Sequence, residues 1–168
     1  MYQHVELALK KLLYLLENKL YKEALDVLNE NKTNIDSYFP SYFSDAIKLK
    51  LNMILNENLS KEDIDLLLTI IDQYTSNPEK MCVDLIMITL LHSLLYLNND
   101  EIKEKILDVM SDPVYSTDYF IYVANTYIEM KDKVDITPLI VAYDSSLHDV
   151  IKPIIDSYSG LFLRGRLI

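Results

Sequence analysis

Few of the residues that could bind a metal or act in catalysis have the sequence spacing of a known metal or catalytic site. The histidines, His4, His92 and His148, are far apart, and none has a second ligand at the spacing of a recognisable metal motif. Asp144 and Asp149 flank His148, but Asp144 and His148 on one helix face are typical of an exposed capping arrangement. His92 lies in an apolar run, where we expect a core histidine with one hydrogen-bond partner. The sequence therefore predicts no metal site and no cofactor.

Cys82 is the only cysteine, so it forms no internal disulfide, and a reducing, cytoplasm-like compartment fits best. Its predicted position in the first turn of a helix could lower the thiol pKa, but no histidine nearby in sequence would activate it. We therefore expect a buried, inert thiol. Paired carboxylates such as Glu62-Asp63 and Asp100-Glu101 stand at predicted helix starts, where negative charge favours the helix dipole. With no phosphate loop or nucleophile motif either, we expect a non-enzymatic protein, and a small helical enzyme is the least favoured alternative.

Side chains suited to binding are concentrated near residue 120. Of the 13 tyrosines, four lie close together at Tyr115, Tyr119, Tyr122 and Tyr127. Tyr119 and Tyr122 are three residues apart and share a helix face, with Asn125 close by. These rings could hold a ligand, but core packing with hydroxyls at the rim explains them equally well, and a composition typical of an AT-rich genome raises tyrosine counts without function.

The last ten residues, SGLFLRGRLI, contain both glycines and both arginines of the chain. An apolar, cationic segment on an acidic body could dock into its own groove, a partner or a second copy. We therefore expect Phe162, Arg164 and Arg166 to make an ordering contact, which allows a homo-oligomer through this tail. The predicted organisation is a single helical-repeat domain over residues 1–160 and an apolar, basic tail over residues 161–168.

The overall charge limits the class of partner. The formal net charge is −10 and the lysines and arginines form no basic stripe, so we expect neither nucleic acid nor a membrane as a partner. A basic protein or peptide is compatible with the acidic surface. The longest uncharged run, Leu85 to Leu97, is too short to span a bilayer and predicts a central helix buried on most of its circumference.

The elements that position these residues are all predicted to be helices. Two glycines and five prolines provide few breaks, which favours long helices with short connections. Five breaks separate the first six helices, at Asn18-Lys19, at Pro40, before Ser60, at Asn77-Pro78 and before Asp100. Ser60 to Asp63 has the spacing of a capping box, and Pro78 is predicted to lie in the first turn of the fifth helix. A short helix follows Thr137-Pro138, and a last helix from Leu147 to Tyr158 is expected to end at Gly160, with a kink or a split at Pro153. A second helix begins at about residue 20, and the other predicted helices cover about residues 3–17, 41–56, 60–74, 78–97, 100–110 and 117–130.

The predicted turns recur along the chain near Asn18, Asn56, Asn98 and Lys131. Their spacing of roughly 35 to 40 residues is the period of helix-pair solenoids, whose units bury their apolar faces only by stacking. The sequence therefore predicts an all-α fold of about eight or nine helices, arranged as antiparallel hairpins in a short right-handed α-solenoid. An ordinary helical bundle with helices of similar length remains the alternative.

Two segments resemble halves of a tetratricopeptide repeat. Residues 119–132 are similar to its first helix, with Phe120 at the bulky aromatic position, Ala124 at the small position and Tyr127 at the tyrosine position. A small residue there lets the paired helix approach closely. Residues 18–28 resemble the second half of such a unit, through Tyr21, Ala24 and Leu28.

The resemblance implies a function and a site. In tetratricopeptide proteins the first helices line a concave groove, and an asparagine matching Asn125 often holds a peptide backbone, so the resemblance implies groove-lining roles for Tyr122, Asn125 and Glu129, with Tyr119 beside them. The leading hypothesis is a protein–protein interaction adaptor or regulatory subunit that binds a peptide or protein segment. The second is a compact bundle in which a partner helix docks in a groove, as in Bcl-2-like proteins of viruses. That alternative predicts a helix over residues 78–97 surrounded on all sides.

Overall fold

The computed structural model describes residues 2–130, 132–143 and 146–167, and the side chains of residues 3–130, 132–143 and 146–158. All regular structure in these ranges is helical. A short 3₁₀ turn, Lys80–Cys82, precedes the fifth α-helix. The helices are α1 (Tyr2–Glu17), α2 (Tyr21–Asp36), α3 (Ser41–Asn56), α4 (Lys61–Ser76), α5 (Val83–Ser93), α6 (Asp100–Ser111), α7 (Asp118–Met130), α8 (Thr137–Tyr143) and α9 (Leu147–Leu167).

Consecutive helices pack on each other along the chain. α1 packs on α2, α2 packs on α3, and α3 contacts both α4 and α5, while α6 packs on α7. Packing of this kind is consistent with a helical-repeat solenoid, and the predicted all-α fold class is confirmed. One further contact goes beyond a simple row of hairpins, because α9 packs against α1. The last helix therefore meets the first.

α5 lies at the centre of the molecule. Every residue from Leu85 to Ser93 is buried, and α3, α6, α8 and α9 all contact this helix. Its polar side chains bond to its own backbone: the Thr89 hydroxyl donates to the Leu85 carbonyl at 2.7 Å, and the Ser93 hydroxyl to the Leu90 carbonyl at 2.6 Å. The enclosed helix confirms the central helix that the uncharged run predicts.

Helix boundaries agree with the sequence where capping is local. The predicted capping box of α4 is present, with the Asp63 N–H donating to Ser60 Oγ at 3.1 Å and the Ser60 N–H donating to the Asp63 carboxylate at 3.0 Å. At the start of α6, the Ile102 N–H donates to Asn99 Oδ1 at 3.1 Å. Lys19 has a left-handed backbone with φ 58°, which turns the chain between α1 and α2 at the predicted break.

The helix predicted over about residues 78–97 is shorter in the structure. Asn77 is not helical, with φ −151° and ψ 71°, and its carbonyl accepts a hydrogen bond from the Tyr42 hydroxyl of α3 at 3.0 Å. Glu79, the residue after Pro78, is extended with φ −118° and ψ 128°, so Pro78 does not open α5, which begins at Val83 after the 3₁₀ turn. After Ser93 the chain continues in turns, in which the N–H groups of residues 94–96 each donate to the carbonyl three residues earlier.

The last helix is longer than the sequence predicts. α9 is one helix from Leu147 to Leu167 with Pro153 inside it, so the expected end at Gly160 is wrong. A glycine permits the left-handed conformation that stops a helix, but it does not impose that conformation. The division at residue 160 into a domain and a tail stays a prediction.

Candidate functional site

The outward face of α7 carries the binding residues that the sequence predicts for this helix. Tyr119, Tyr122, Asn125 and Glu129 are all exposed, with 49% of the Tyr119 surface and 61% of the Tyr122 surface accessible. We call these four residues the α7 stripe. Helical geometry explains the division, because positions three or four apart share a face. The opposite face is buried and consists of Phe120, Val123, Ala124 and Tyr127.

One end of the stripe is fixed by aromatic packing. The Tyr119 ring meets the Phe120 ring edge-to-face at a centroid distance of 5.0 Å and the Tyr143 ring of α8 at 5.1 Å. Partial burial, and then the neighbouring Tyr143, raise the pKa of Tyr119. Tyr119 is therefore held against α8, whereas Tyr122 stands one turn further along on the open part of the face.

The four clustered tyrosines divide into two groups. Tyr127 is buried, and Tyr115 is half-buried with its backbone carbonyl accepting a hydrogen bond from the Tyr74 hydroxyl at 2.8 Å. Tyr119 and Tyr122 face outward. Core packing accounts for the first pair. In the second pair, Tyr119 packs on Phe120 and Tyr143, and Tyr122 is the more exposed of the two.

A groove lies beside the stripe, between α6, α7 and the turn that leads into α8. It consists of two adjoining clefts of about 360 and 430 Å³ that share Asp100, Lys103 and Tyr127 as lining residues. We call it the α6–α7 groove. Ile128 of α7 lies in the groove and is 48% exposed. The groove and the stripe are neighbouring surfaces of the same helix.

The groove has an acidic rim, and a few apolar side chains lie among its lining residues. Five carboxylates and one lysine, Lys103, are among its described lining residues. The apolar lining includes Leu107, Ile128, Val134 and Ile136. The carboxylates are Asp100, Glu104, Asp108, Asp132 and Asp135. A cationic ligand with an apolar side would match both features.

Two groups in the groove have perturbed pKa values. Burial, and then the nearby Asp100 carboxylate, raise the pKa of Tyr127, so its hydroxyl stays protonated and able to donate. Asp135 accepts a hydrogen bond from the Thr137 backbone N–H at 3.0 Å, which lowers the pKa of this carboxyl. At neutral pH Asp135 is therefore ionised, and Tyr127 is neutral.

The residues of α6 that line the groove form one face of a helix in the sequence, but this pattern alone does not predict a groove. Asp100, Lys103, Glu104, Leu107 and Asp108 recur at the spacing of one helix face. Such a face with one large apolar residue is typical of an ordinary solvated surface. Only the position of α7 and of the following turn makes this face one wall of a groove.

The histidines, which could bind a metal or act in catalysis, make structural contacts instead. His92 is a buried core histidine, as expected, with its Nδ1 2.8 Å from Nζ of the buried Lys50, and a protonated lysine donates in such a contact. His148 Nδ1 lies 3.1 Å from the exposed Asp149 carboxylate. Among the described residues no group of three or more metal-ligating side chains comes together. Asp144 lies outside the described residues.

Cys82 is fully buried, and burial, followed by the nearby Glu79, raises the pKa of its thiol to about 12. A thiol with such a pKa is almost entirely protonated at neutral pH, and the thiolate is the reactive form. The structure thus agrees with the expectation of an inert thiol. The helix N-terminus does not offset the cost of burying the charge.

The chain is anchored immediately before its apolar, basic tail. The Tyr158 hydroxyl forms a hydrogen bond with the Glu79 carboxylate, and the Tyr158 ring packs on Phe39 at a centroid distance of 4.6 Å. The side chains of Phe162, Arg164 and Arg166 lie outside those that the structure describes. Their predicted ordering contact therefore stays a prediction.

Comparison with known proteins identifies no relative. No protein-family model matches the chain, no curated protein shows significant similarity to it, and no solved structure matches its fold significantly. In the part of the chain that the structure describes, none of the helices combines the length and the apolar character that crossing a membrane requires.

Proposed function

We propose that the protein is a non-enzymatic interaction adaptor or regulatory subunit that binds a peptide or protein segment on the surface formed by the α7 stripe and the α6–α7 groove. The observation that carries the proposal is that the exposed Tyr122 and Asn125 share one face of α7 next to the α6–α7 groove. Tyrosine is among the residues that dominate binding energy at protein interfaces. Next to it, the amide of Asn125 can both donate to and accept from a peptide backbone.

The resemblance to tetratricopeptide repeats supports the same surface. By that resemblance α7 is the first helix of the last hairpin, and Tyr122, Asn125 and Glu129 take ligand-facing positions. α5 would be the first helix of the preceding hairpin, but it is enclosed. The ligand surface that we propose is therefore local to α7 and its neighbours, and does not extend along all the first helices.

A compact bundle that receives a partner helix is the second candidate function. The specific observation in its favour is the enclosure of α5, which four other helices contact. Both candidates place the partner on the outer helices, and they differ in the conformation of the bound segment. The adaptor can bind an extended or a helical segment, whereas the bundle receives only a helix, so a ligand that binds extended would exclude the bundle.

The charge of the chain indicates the kind of partner. At a net charge of −10, a basic protein segment is attracted, whereas nucleic acid is repelled. The buried free thiol of Cys82 suits a reducing, cytoplasm-like compartment. Both properties are part of the proposal.

A matched pair of tyrosines tests the proposed surface. Tyr14 of α1 is as exposed as Tyr122, with 62% of its surface accessible, so each can be truncated with little effect on folding. We expect Tyr122→Ala to reduce capture of a partner from a lysate of the source cells by roughly tenfold or more, because interface tyrosines typically contribute 2 kcal/mol or more. Tyr14→Ala is expected to capture the same protein as the parent. Quantitative mass spectrometry of both eluates measures the ratio, and equal capture by the two variants would exclude the α7 surface.

A further inference from the structure

We propose that the α6–α7 groove is the docking site for a basic amphipathic helix of a partner protein. The inference rests on the proposed function and names the chemistry of the partner at that site. Its three supports are the shape of the groove, its charge and the lack of a backbone partner for an extended chain.

The shape suits a short helix. The groove-lining positions on α6 run from Asp100 to Asp108, a distance along the helix axis of about 12 Å, or a little over two turns. The apolar side chains of the groove lie between α6 and the facing residues of α7 and its following turn, with Ile128 and Val134 each about half exposed. An apolar stripe at helical spacing can cover these side chains along that length.

The charge selects a cationic partner. Carboxylates stand on both walls, with Glu104 and Asp108 on α6 and Asp132 and Asp135 on the turn beyond α7. Lys103 is the single lysine among the described lining residues. Lysine or arginine on both sides of an apolar stripe would meet these rims, while an acidic helix would be repelled.

An extended segment has no comparable way to bind here. Extended peptides gain affinity mainly by adding main-chain hydrogen bonds to an exposed sheet edge. In the described ranges the chain contains no strand, and the backbone groups of α6 and α7 already bond within their helices. A helical ligand brings its own backbone bonds and needs only side-chain contacts.

The test is a titration with a designed leucine–lysine peptide of about fourteen residues whose leucines form one helical face. A scrambled peptide of the same composition, without an apolar face, serves as its control. We expect the amphipathic peptide to bind saturably with a gain of helical circular dichroism, and the scrambled peptide to bind at least roughly tenfold more weakly. Equal binding of the two would overturn the inference, since it would show attraction to charge alone.

Two matched variants locate the binding. Glu104→Gln with Asp108→Asn removes two rim charges, and Glu17→Gln with Glu30→Gln removes two exposed charges on α1 and α2. We expect the first variant to weaken binding of the amphipathic peptide by roughly tenfold, and the second to weaken it by less than about twofold. Ile128→Ser, at a half-exposed position, is expected to weaken peptide binding by roughly tenfold, because it removes an apolar side chain that lines the groove. Equal effects of the two double variants would overturn the assignment to this groove.

Two further outcomes separate the inference from the proposed function. If capture of a cellular partner depends on Tyr122 but not on Glu104, Asp108 or Ile128, the proposed function stands and the helix-docking inference fails. A peptide of residues 157–168 that binds more tightly than the designed peptide would overturn the assignment to a separate partner, and would identify a second copy of this chain as the occupant.

Discussion

The Ala124→Tyr variant is expected to melt roughly 10 °C below the parent protein. Ala124 is fully buried on the face of α7 that packs into the molecule, and α7 packs on α6. A tyrosine there must push the two helices apart or leave its rotamer minimum, which costs about 3 kcal/mol of unfolding free energy. A loss of that size shifts the melting temperature of a chain of this length by about the stated amount.

The neighbouring position is the matched control for this variant. Asn125 is the next residue, but it points outward, so Asn125→Tyr is expected to change the unfolding free energy by less than about 0.5 kcal/mol. Thermal melts followed by circular dichroism measure both variants. If Ala124→Tyr melts within a degree or two of Asn125→Tyr, the packing assigned to α7 is wrong.

Raising the pH from 8 to 11 is expected to lower the unfolding free energy by a few kcal/mol, mostly through the fully buried thiol of Cys82. Burial is the first cause that raises the pKa of four neighbouring groups, to about 12 for Tyr74 and Cys82. Each is neutral when protonated, so the unfolded chain loses these protons first, above pH 9 for the thiol and pH 10 for the phenols. The stabilisation is therefore complete below those values and is lost as the pH rises toward 12. The group consists of Tyr42, Tyr74, Cys82 and Tyr158.

Cys82→Ala isolates one of these groups. The variant lacks the thiol whose unfolded state ionises first, so its loss of unfolding free energy between pH 8 and pH 11 is expected to be smaller by about 2 to 3 kcal/mol. The cavity left by the sulfur lowers stability equally at both pH values and cancels in this difference. Urea unfolding of both proteins at the two pH values measures it. An equal pH-dependent loss in parent and variant would contradict the burial assigned to Cys82.

The parts of the fold that local chemistry determines could be predicted from the sequence. The capping box at Ser60 and the amide cap at Asn99 each involve residues within three positions, so the starts of α4 and α6 are correct. The central α5 was predictable from its lack of charge. These features depend on neighbouring residues or on a single composition signal.

The parts that depend on distant contacts could not be predicted. The start of α5 is displaced by the extended backbone at Glu79, whose carboxylate bonds to the Tyr158 hydroxyl, 79 positions away. Lysine side chains are almost always exposed, yet Lys50 is buried and lies against His92 of α5. The α6–α7 groove depends in the same way on how far α7 and its following turn stand from α6. No local pattern contains that distance.

A photo-crosslinking amino acid that keeps the aromatic ring, placed at Tyr122 and in a separate protein at Tyr14, tests the central claim most directly. The two positions are equally exposed, at 61% and 62%, so non-specific crosslinking to other proteins is expected to be the same at both. The account predicts a discrete crosslinked partner from position 122 in source cells, through a segment rich in lysine or arginine, and none from position 14. Crosslinks of the same partners from both positions, or a partner from position 14 alone, would contradict the assignment of the binding surface to α7.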